Sequence, residues 1–296
     1  MAVLTLLSLA ACGSQAAPTE EPAVSTEPSL QETVEFLERN FDRFTIDGST
    51  SMIPLHQALR YRFSAKQDTV THSQTVDAFE RMLRGEADIL LSVDYSDELL
   101  EKAQSGGARL VQRAVTREAF VFLINRHNPV RSLTTEQIKD IYSGRITNWR
   151  EVGGDDFPIR AFQRNQDSGS QIRMVKFMDG DALMDTDVEY LSLMGSVIEQ
   201  IGSYDQGFYS IAYNMYTFTE KQYPSETVSL LAVDGVYPDD ASIADETYPL
   251  HIRNFLYHDE TNAAASEFAD HVYRYLVSDE GRKLIGQSGY YFRNKK

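Results

Sequence analysis

Ile46-Asp-Gly-Ser-Thr-Ser-Met-Ile-Pro54 and Gln163-Arg-Asn-Gln-Asp-Ser-Gly-Ser-Gln171 are two stretches of the chain with the same local pattern. In each, an apolar lead-in typical of a strand precedes small hydroxyl residues around a glycine, and an amphipathic pattern typical of a helix follows. Small residues let a ligand approach the backbone, and the first N–H groups of a helix have no internal partner. Together with the positive end of the helix dipole, these groups can bind an anion without net positive charge.

One such loop is weak evidence for an anion site, because Ser and Thr also cap ordinary helices and tight turns. Two such loops, with Arg164 beside the second, make a clamp for a tetrahedral anion the leading hypothesis. The alternatives are a simple helix cap in each loop and a surface or salt-bridged arginine at position 164.

Charge and length restrict the possible partners. The 296 residues are 42% hydrophobic, enough for a large core or two lobes, and the formal net charge is −16. A chain this acidic offers no basic patch to neutralise nucleic-acid phosphates, so we expect no nucleic-acid partner. An anion ligand remains possible, because exposed carboxylates are screened over about 8 Å, whereas N–H and O–H donors act at about 3 Å.

The N-terminus indicates export. Residues 2–11 are apolar but too short for a permanent membrane span, and they lead into Leu9-Ala-Ala-Cys12, which resembles the bacterial lipobox. Cys12 is the only cysteine, so disulfides are excluded; the alternative is a chance Cys in a cleaved signal. We therefore predict a lipoprotein signal segment over residues 1–12, lipidation at Cys12, and extracytoplasmic attachment to the membrane.

Residues 13–34 are predicted to be a flexible tether. The stretch is rich in Ala, Pro, Thr, Ser and Glu and holds few large apolar groups, so it cannot repay its ordering entropy.

Strand-like and helical patterns alternate along the rest of the chain, which predicts an α/β fold with mixed or parallel sheets. Ligands of open α/β sheets bind beyond the carboxyl ends of the strands, where both loops fall. The predicted strands cover residues 41–46, 69–71, 88–92, 110–114, 120–125, 159–163, 210–213, 229–233 and 250–256. The predicted helices cover residues 52–63, 75–84, 134–142, 170–178, 190–202, 263–277 and 279–287.

Enzyme motifs are missing from the sequence. There is no Gly-x-Ser-x-Gly elbow and no Gly-x4-Gly-Lys phosphate loop, and the six histidines show no metal-ligand spacing. Asp167-Ser-Gly-Ser170 resembles the nucleophile stretch of trypsin-like proteases only superficially, because Gln166 and Ser170 replace its flanking glycines. We expect a binding protein without enzymatic activity, cofactor or metal.

Further motifs follow in a fixed order along the chain. They are Asp47-Gly-Ser-Thr-Ser51, Arg84-Gly-Glu-Ala-Asp-Ile89, Leu133-Thr-Thr-Glu-Gln-Ile138, Ile141-Tyr-Ser-Gly144, Asn148-Trp149, Asp167-Ser-Gly-Ser170, Ser210-Ile-Ala-Tyr213 and Ser278-Asp-Glu-Gly281. Over roughly residues 40–293, this ordered set resembles the substrate-binding protein of bacterial phosphate ABC transporters, in the periplasmic-binding-protein superfamily.

The resemblance implies two α/β lobes joined by a two-strand hinge, with an anion site in the cleft between them. Lobe one is expected to combine residues 35–124 and 232–296, and lobe two to cover residues 125–231. The crossovers are expected near residues 123–125 and 230–233. Each anion loop then belongs to a different lobe, so the anion favours the closed state.

The resemblance also implies roles for individual residues. The expected phosphate-binding residues are Ser49, Thr50, Ser51, Arg164, Ser168, Gly169 and Ser170. Ser73 and Ser92 are possible further donors. In well-studied members a buried Asp accepts the proton of hydrogen phosphate and so rejects sulfate; Asp94 is the candidate here, with Asp47 as a rival and a solvated loop carboxylate as the alternative.

The expected function is the capture of inorganic phosphate by a lipid-anchored monomer that passes it to the permease of an ABC importer. Two alternatives remain open. The same fold can bind another oxyanion such as sulfate, molybdate or tungstate, or the protein can be a phosphate-sensing or adhesive surface lipoprotein.

Overall fold

Strand order defines the architecture of the computed structural model, which describes residues 27–185, 191, 193–203 and 208–292. Within them a seven-stranded sheet has the order β1-β2-β9-β3-β6-β5, with β7 also paired to β3, and β4 and β8 form a separate pair. The strands are β1 Ile46–Gly48, β2 Ile89–Ser92, β3 Leu110–Asn125, β4 Ser132–Leu133, β5 Arg160–Ala161, β6 Ser210–Met215, β7 Val228–Leu230, β8 Ala232–Val233 and β9 His251–Asp259. Parallel β1–β2 and β5–β6 pairs flank antiparallel ones, which confirms the predicted mixed α/β fold.

The α-helices pack on this sheet. They are α1 Leu30–Asn40, α2 Ile53–Arg62, α3 Thr75–Leu83, α4 Asp97–Ser105, α5 Thr135–Tyr142, α6 Gly169–Met178, α7 Met194–Gly202, α8 Asp240–Ala244, α9 Ala263–Val277 and α10 Asp279–Gln287. The seven predicted helices all occur, although part of the predicted 190–202 helix lies outside the described residues. No helix in the described ranges combines the length and apolar character needed to cross a bilayer.

Strand β3 belongs to both lobes. Its residues 110–119 pair with β9, and its residues 120–125 pair with β6 and β7. One hydrophobic core surrounds the buried run at residues 119–124, together with Trp149 and Tyr213. Separate cores lie on the other half, one around α1, α9 and β1 and one around α3. We call the half with β1, β2 and β9 the first lobe and the half with β5, β6 and β7 the second lobe.

The segment after the second predicted crossover contacts the core of the second lobe. Residues 232–250 pack against the core of the second lobe through Val233, Ile243 and Tyr248, and the backbone N–H of Phe120 donates to Leu250. These contacts are local packing, and the predicted range of lobe two, residues 125–231, stays a prediction. Residues 110–114 and 120–125 form one strand, because a bulge between Ala114 and Thr116 shifts the register without ending the strand.

The ordered body begins inside the range predicted as a tether. Helix α1 begins at Leu30, after a capping box in which the Ser29 side chain accepts from the Glu32 N–H and the Ser29 N–H donates to the Glu32 carboxylate. Thr33 and Leu37 of this helix are buried. The composition of residues 13–34 hid the local signal, which was the Ser-x-x-Glu spacing at positions 29–32. Cys12 and residues 1–26 lie outside the described residues.

Two short predicted strands have other conformations. Residues 41–43 form a 3₁₀ turn, because Phe41 packs between Phe63 and Phe268 instead of continuing into β1. Residues 67–69 form another 3₁₀ turn, and only Val70 pairs with Ile46, through an isolated bridge.

A substitution at Gly48, the last residue of β1, can test how closely the first loop packs against β2. It has φ +153°, and an added Cβ would lie 1.9 Å from the Leu91 carbonyl oxygen of β2. We expect Gly48→Ala to lower the free energy of unfolding by at least about 2 kcal/mol more than Gly235→Ala. Gly235 is the matched control, because its φ of +82° is also positive but no atom lies within 4 Å of its added Cβ. Urea unfolding of both variants measures the difference, and equal losses would contradict the steric argument.

Candidate functional site

A cleft of about 450 Å³ lies between the two predicted anion loops. Its lining includes every residue of the main predicted set, namely Ser49, Thr50, Ser51, Arg164, Ser168, Gly169 and Ser170. These residues come from both lobes and from positions more than a hundred residues apart. The structure thus brings the seven residues together; their binding of an anion stays a prediction.

The first loop connects β1 to α2. Ser49 caps a short 3₁₀ turn at Thr50–Met52, and its Oγ accepts from the Ser51 N–H at 3.3 Å. The Oγ atoms of Ser49 and Ser51 are 2.9 Å apart and share a hydrogen bond. Pro54 lies in the first turn of α2, where its lack of an N–H costs no helical hydrogen bond. The loop therefore presents two buried hydroxyls ahead of a helix N-terminus.

The second loop forms the N-terminus of α6. Ser168 caps the helix by accepting from the Gln171 N–H at 3.1 Å, which leaves the first-turn N–H groups of Gly169 and Ser170 near the cleft without helical partners. An added Cβ at Gly169 would lie 2.7 Å from Val93 Cγ2 and 2.8 Å from Thr75 Oγ1 of the first lobe. The two lobes are in direct contact at this point, and the contact requires a glycine.

Arg164 supplies a positive charge to the cleft. The residue is 4% exposed, its Nε donates to the Leu191 carbonyl at 2.7 Å, and its backbone N–H donates to Gln171 Oε1 and the Tyr213 hydroxyl, each at 3.0 Å. Burial lowers the pKa of the guanidinium to about 10, so it is still protonated at neutral pH. A fixed, planar and largely desolvated cation is suited to an oxyanion.

Asp47 and Ser73 form a network behind the first loop. The Asp47 carboxylate is fully buried and accepts from the Ser73 N–H at 2.9 Å, the Ser73 hydroxyl at 2.8 Å, Arg81 Nη1 at 2.7 Å and the Gly48 N–H at 2.8 Å. Four donors fill the usual acceptor capacity of a carboxylate. Asp47 thus holds the loop in place, and Ser73 directs its proton to Asp47 and is absent from the cleft lining.

Asp94 joins the two lobes outside the cleft lining. Its carboxylate contacts Arg173 Nη2 at 2.5 Å and Lys176 Nζ at 3.3 Å, both on α6 of the second lobe. Ser92 is fully buried in β2 and also does not line the cleft. The spacing of Arg173 and Lys176 on one face of α6 could have indicated an acidic partner, but nothing in the sequence identified Asp94 as that partner.

Sequence reasoning missed the other walls of the cleft. These are Ile53, Gln74, Thr75, Leu193, Met194, Gly195, Ser196, Glu199, Met215, Phe218 and Tyr223. Thr75, the first residue of α3, carried a weak signal as a hydroxyl residue at a helix start. The apolar and aromatic members could not be distinguished from ordinary core residues. In the part of the chain that the structure describes, no group of three or more His, Cys, Asp or Glu is placed to hold a metal.

A two-lobe α/β body with a ligand-sized, donor-rich cleft between the lobes defines a solute-binding protein. A family model described as a PBP superfamily domain matches residues 16–280. The chain belongs to the periplasmic-binding-protein superfamily. Substrate-binding proteins of ABC transporters are not enzymes, in agreement with the prediction of a binding protein.

Individual relatives are distant in sequence. The chain is 24% identical to the phosphate-binding protein PstS of Bacillus subtilis over 247 residues, which cover 83% of this chain and 77% of that one. It is 31% identical to protein SphX of Synechococcus elongatus over 137 residues, 43% of this chain and 41% of that protein.

Solved structures share the fold. A Clostridium perfringens protein described as a phosphate ABC transporter substrate-binding protein, solved with bound phosphate, matches with a TM-score of 0.67 and 22% identity over 85% of this chain and 99% of that one. An ABC-type phosphate transport receptor from Vibrio cholerae matches with a TM-score of 0.66 and 23% identity, over 84% and 99%.

The charge of Arg164 is expected to dominate anion binding. We expect Arg164→Ala to weaken the binding of phosphate, used as the probe anion, at least tenfold, because a charge-assisted hydrogen bond contributes about 1.5–3 kcal/mol. Isothermal titration calorimetry measures the affinity, and thermal unfolding checks that the variant folds. Arg150→Ala is the control, since Arg150 is exposed and paired with Asp156 on the same lobe. Unchanged affinity in a folded Arg164→Ala variant would remove Arg164 from the site.

Proposed function

We propose that the chain is an extracytoplasmic, lipid-anchored protein that captures inorganic phosphate for the permease of an ABC importer. The observation that carries this proposal is the meeting of two hydroxyl-rich loops, one from each lobe, beside the buried Arg164. The names of the relatives and the bound phosphate of the Clostridium perfringens structure support phosphate as the ligand.

Lobe closure is the proposed mechanism of capture. Donors around Ser49 belong to the first lobe, and Arg164 and the N-terminus of α6 belong to the second, so an anion bonds to both only when the lobes meet. The anion then shifts the population toward the closed state. Micromolar affinity corresponds to about −8 kcal/mol. Several charge-assisted hydrogen bonds of about 1.5–3 kcal/mol each can supply it after desolvation and ordering costs.

The ion pairs of Asp94 belong to the same mechanism. Helix α6 donates its N-terminus to the cleft and, from its next turns, Arg173 and Lys176 to Asp94 of the first lobe. The three side chains are largely buried, with exposed fractions of 20–29%. Closing the lobes therefore forms the anion contacts and the Asp94 contacts together, and Asp94 adds stability to the closed state alone.

Attachment to the membrane rests on the lipobox-like sequence at Cys12, and delivery to a permease rests on the family. The monomeric state is likewise part of the proposal. The competing functions are a sensing or adhesive surface lipoprotein and a carrier of another oxyanion. The two experiments below compare how tightly the protein binds the different anions.

Anion selectivity is the direct test of the proposal. We expect phosphate to bind one to one and at least tenfold more tightly than sulfate, molybdate or tungstate, measured by calorimetry at neutral pH and fixed salt on protein freed of bound anion by unfolding and refolding. The protein should begin before Ser29 so that the α1 cap is retained. Tighter binding of another oxyanion would identify that oxyanion as the substrate. No binding of any anion would contradict the proposal and favour the adhesive function.

Asp94→Asn separates the two roles considered for Asp94. If Asp94 acts as an interlobe contact, its replacement should weaken phosphate binding and sulfate binding by the same factor, several-fold, because both anions require the closed state. If Asp94 instead accepts the proton of hydrogen phosphate, its replacement should weaken phosphate binding alone and so narrow the difference in affinity between phosphate and sulfate. Calorimetry with both anions distinguishes these outcomes. Asp97→Asn is the control, because Asp97 is 88% exposed and its contact with Lys176 Nζ, at 3.7 Å, is weak.

A further inference from the structure

The cleft is larger than an inorganic anion requires. Its volume is about 450 Å³, whereas one water occupies roughly 30 Å³ of the liquid. An ion of five heavy atoms held by the two loops fills a small part of such a space. Part of the remaining wall is apolar and consists of Ile53, Met194, Met215 and Phe218, of which Met194 and Met215 are buried. Apolar walls next to a polar end suit an organic substituent on the anion.

A carboxylate and two aromatic rings lie on the same cleft, at its exposed side. The Tyr223 hydroxyl donates to Glu199 Oε1 at 2.8 Å, and the Phe218 and Tyr223 rings are nearly parallel, 4° apart with centroids separated by 6.1 Å. Glu199 is exposed, and Tyr223 is 43% exposed. The hydrogen bond to Glu199 raises the pKa of Tyr223, so the phenol stays neutral at physiological pH.

Of the lining residues that the structure describes, Glu199 is the one with a negative charge. A carboxylate on the wall of an anion site repels inorganic phosphate, because like charges disfavour one another at short range. The same carboxylate attracts a ligand that carries a cation beside its phosphoryl group. Aromatic faces next to a carboxylate are also a common environment for ammonium groups.

We propose that this cleft also binds phosphate monoesters or phosphonates whose short organic chain ends in an ammonium group. The phosphoryl oxygens bond to the two loops and Arg164, the chain lies against Met194 and Met215, and the ammonium group faces Glu199 and the Tyr223 ring. This inference rests on the anion site of the proposed function, and it extends the substrate class of that site from an ion to a zwitterion.

Three ligands and one variant test the inference on the whole chain. The ligands are inorganic phosphate, ethyl phosphate and 2-aminoethyl phosphate; the two esters differ only in the ammonium group. Glu199→Gln removes the charge but keeps the side-chain length and an oxygen that accepts from Tyr223. We expect the unmodified protein to bind 2-aminoethyl phosphate at least tenfold more tightly than ethyl phosphate. We expect Glu199→Gln to abolish that difference and to bind inorganic phosphate more tightly, because the repulsion is removed.

Calorimetry gives all six affinities at one pH and salt concentration. Equal affinity of the two esters for the unmodified protein would overturn the inference, and so would binding of inorganic phosphate without either ester. A loss of inorganic phosphate binding in Glu199→Gln would also overturn it, because Glu199 would then act on the anion itself. If inorganic phosphate does not bind the unmodified protein, the proposed function fails, which the phosphate titration reports independently of the esters.

Discussion

One continuous strand holds the two lobes and determines how they can move. Strand β3 runs over residues 110–125, pairs with β9 in the first lobe, and pairs with β6 and β7 in the second. The partner strands of β3 change between Ala119 and Phe120, so the proposed closure of the lobes would bend the strand there. The same point is where the second connection, at Leu250, crosses between the lobes. In the proposed closure, such bending would move the N-terminus of α6 toward Ser49.

Close approach of the lobes explains how an acidic protein can hold an anion. The net charge of −16 is spread over the surface, where solvent screens it. Gly169 lets α6 approach Thr75 and Val93 closely, and Arg164 on the same lobe is only 4% exposed. Directed N–H and O–H groups act more strongly there than the distant carboxylates, because the local dielectric is low.

Local patterns in the sequence predicted the conformation of the two loops, because each loop is a strand end, a cap and a helix start within about nine residues. Their binding of an anion stays a prediction. The sequence could not reveal features that depend on distant pairing. The crossovers depend on which strands pair with β3, and the partners of Asp94 lie about 80 residues away on α6. The signal for α1 was local, at Ser29 and Glu32, but the composition of the surrounding residues outweighed it.

The placement of carboxylates restricts how this site can recognise a protonated anion. Asp47 is saturated by its donors, Asp94 is paired with two cations, and Glu199 is at the exposed side of the cleft. Among the described lining residues, the buried groups able to accept a hydrogen bond from hydrogen phosphate are therefore hydroxyls such as those of Ser49 and Ser51. Either of these two hydroxyls can donate to the other across their 2.9 Å contact, so the pair can turn to accept from one ligand and donate to another. Hydroxyls that can reorient weaken the binding of an anion without a proton less than a fixed, buried carboxylate does. The reason is that a reoriented hydroxyl does not leave a buried acceptor unpaired.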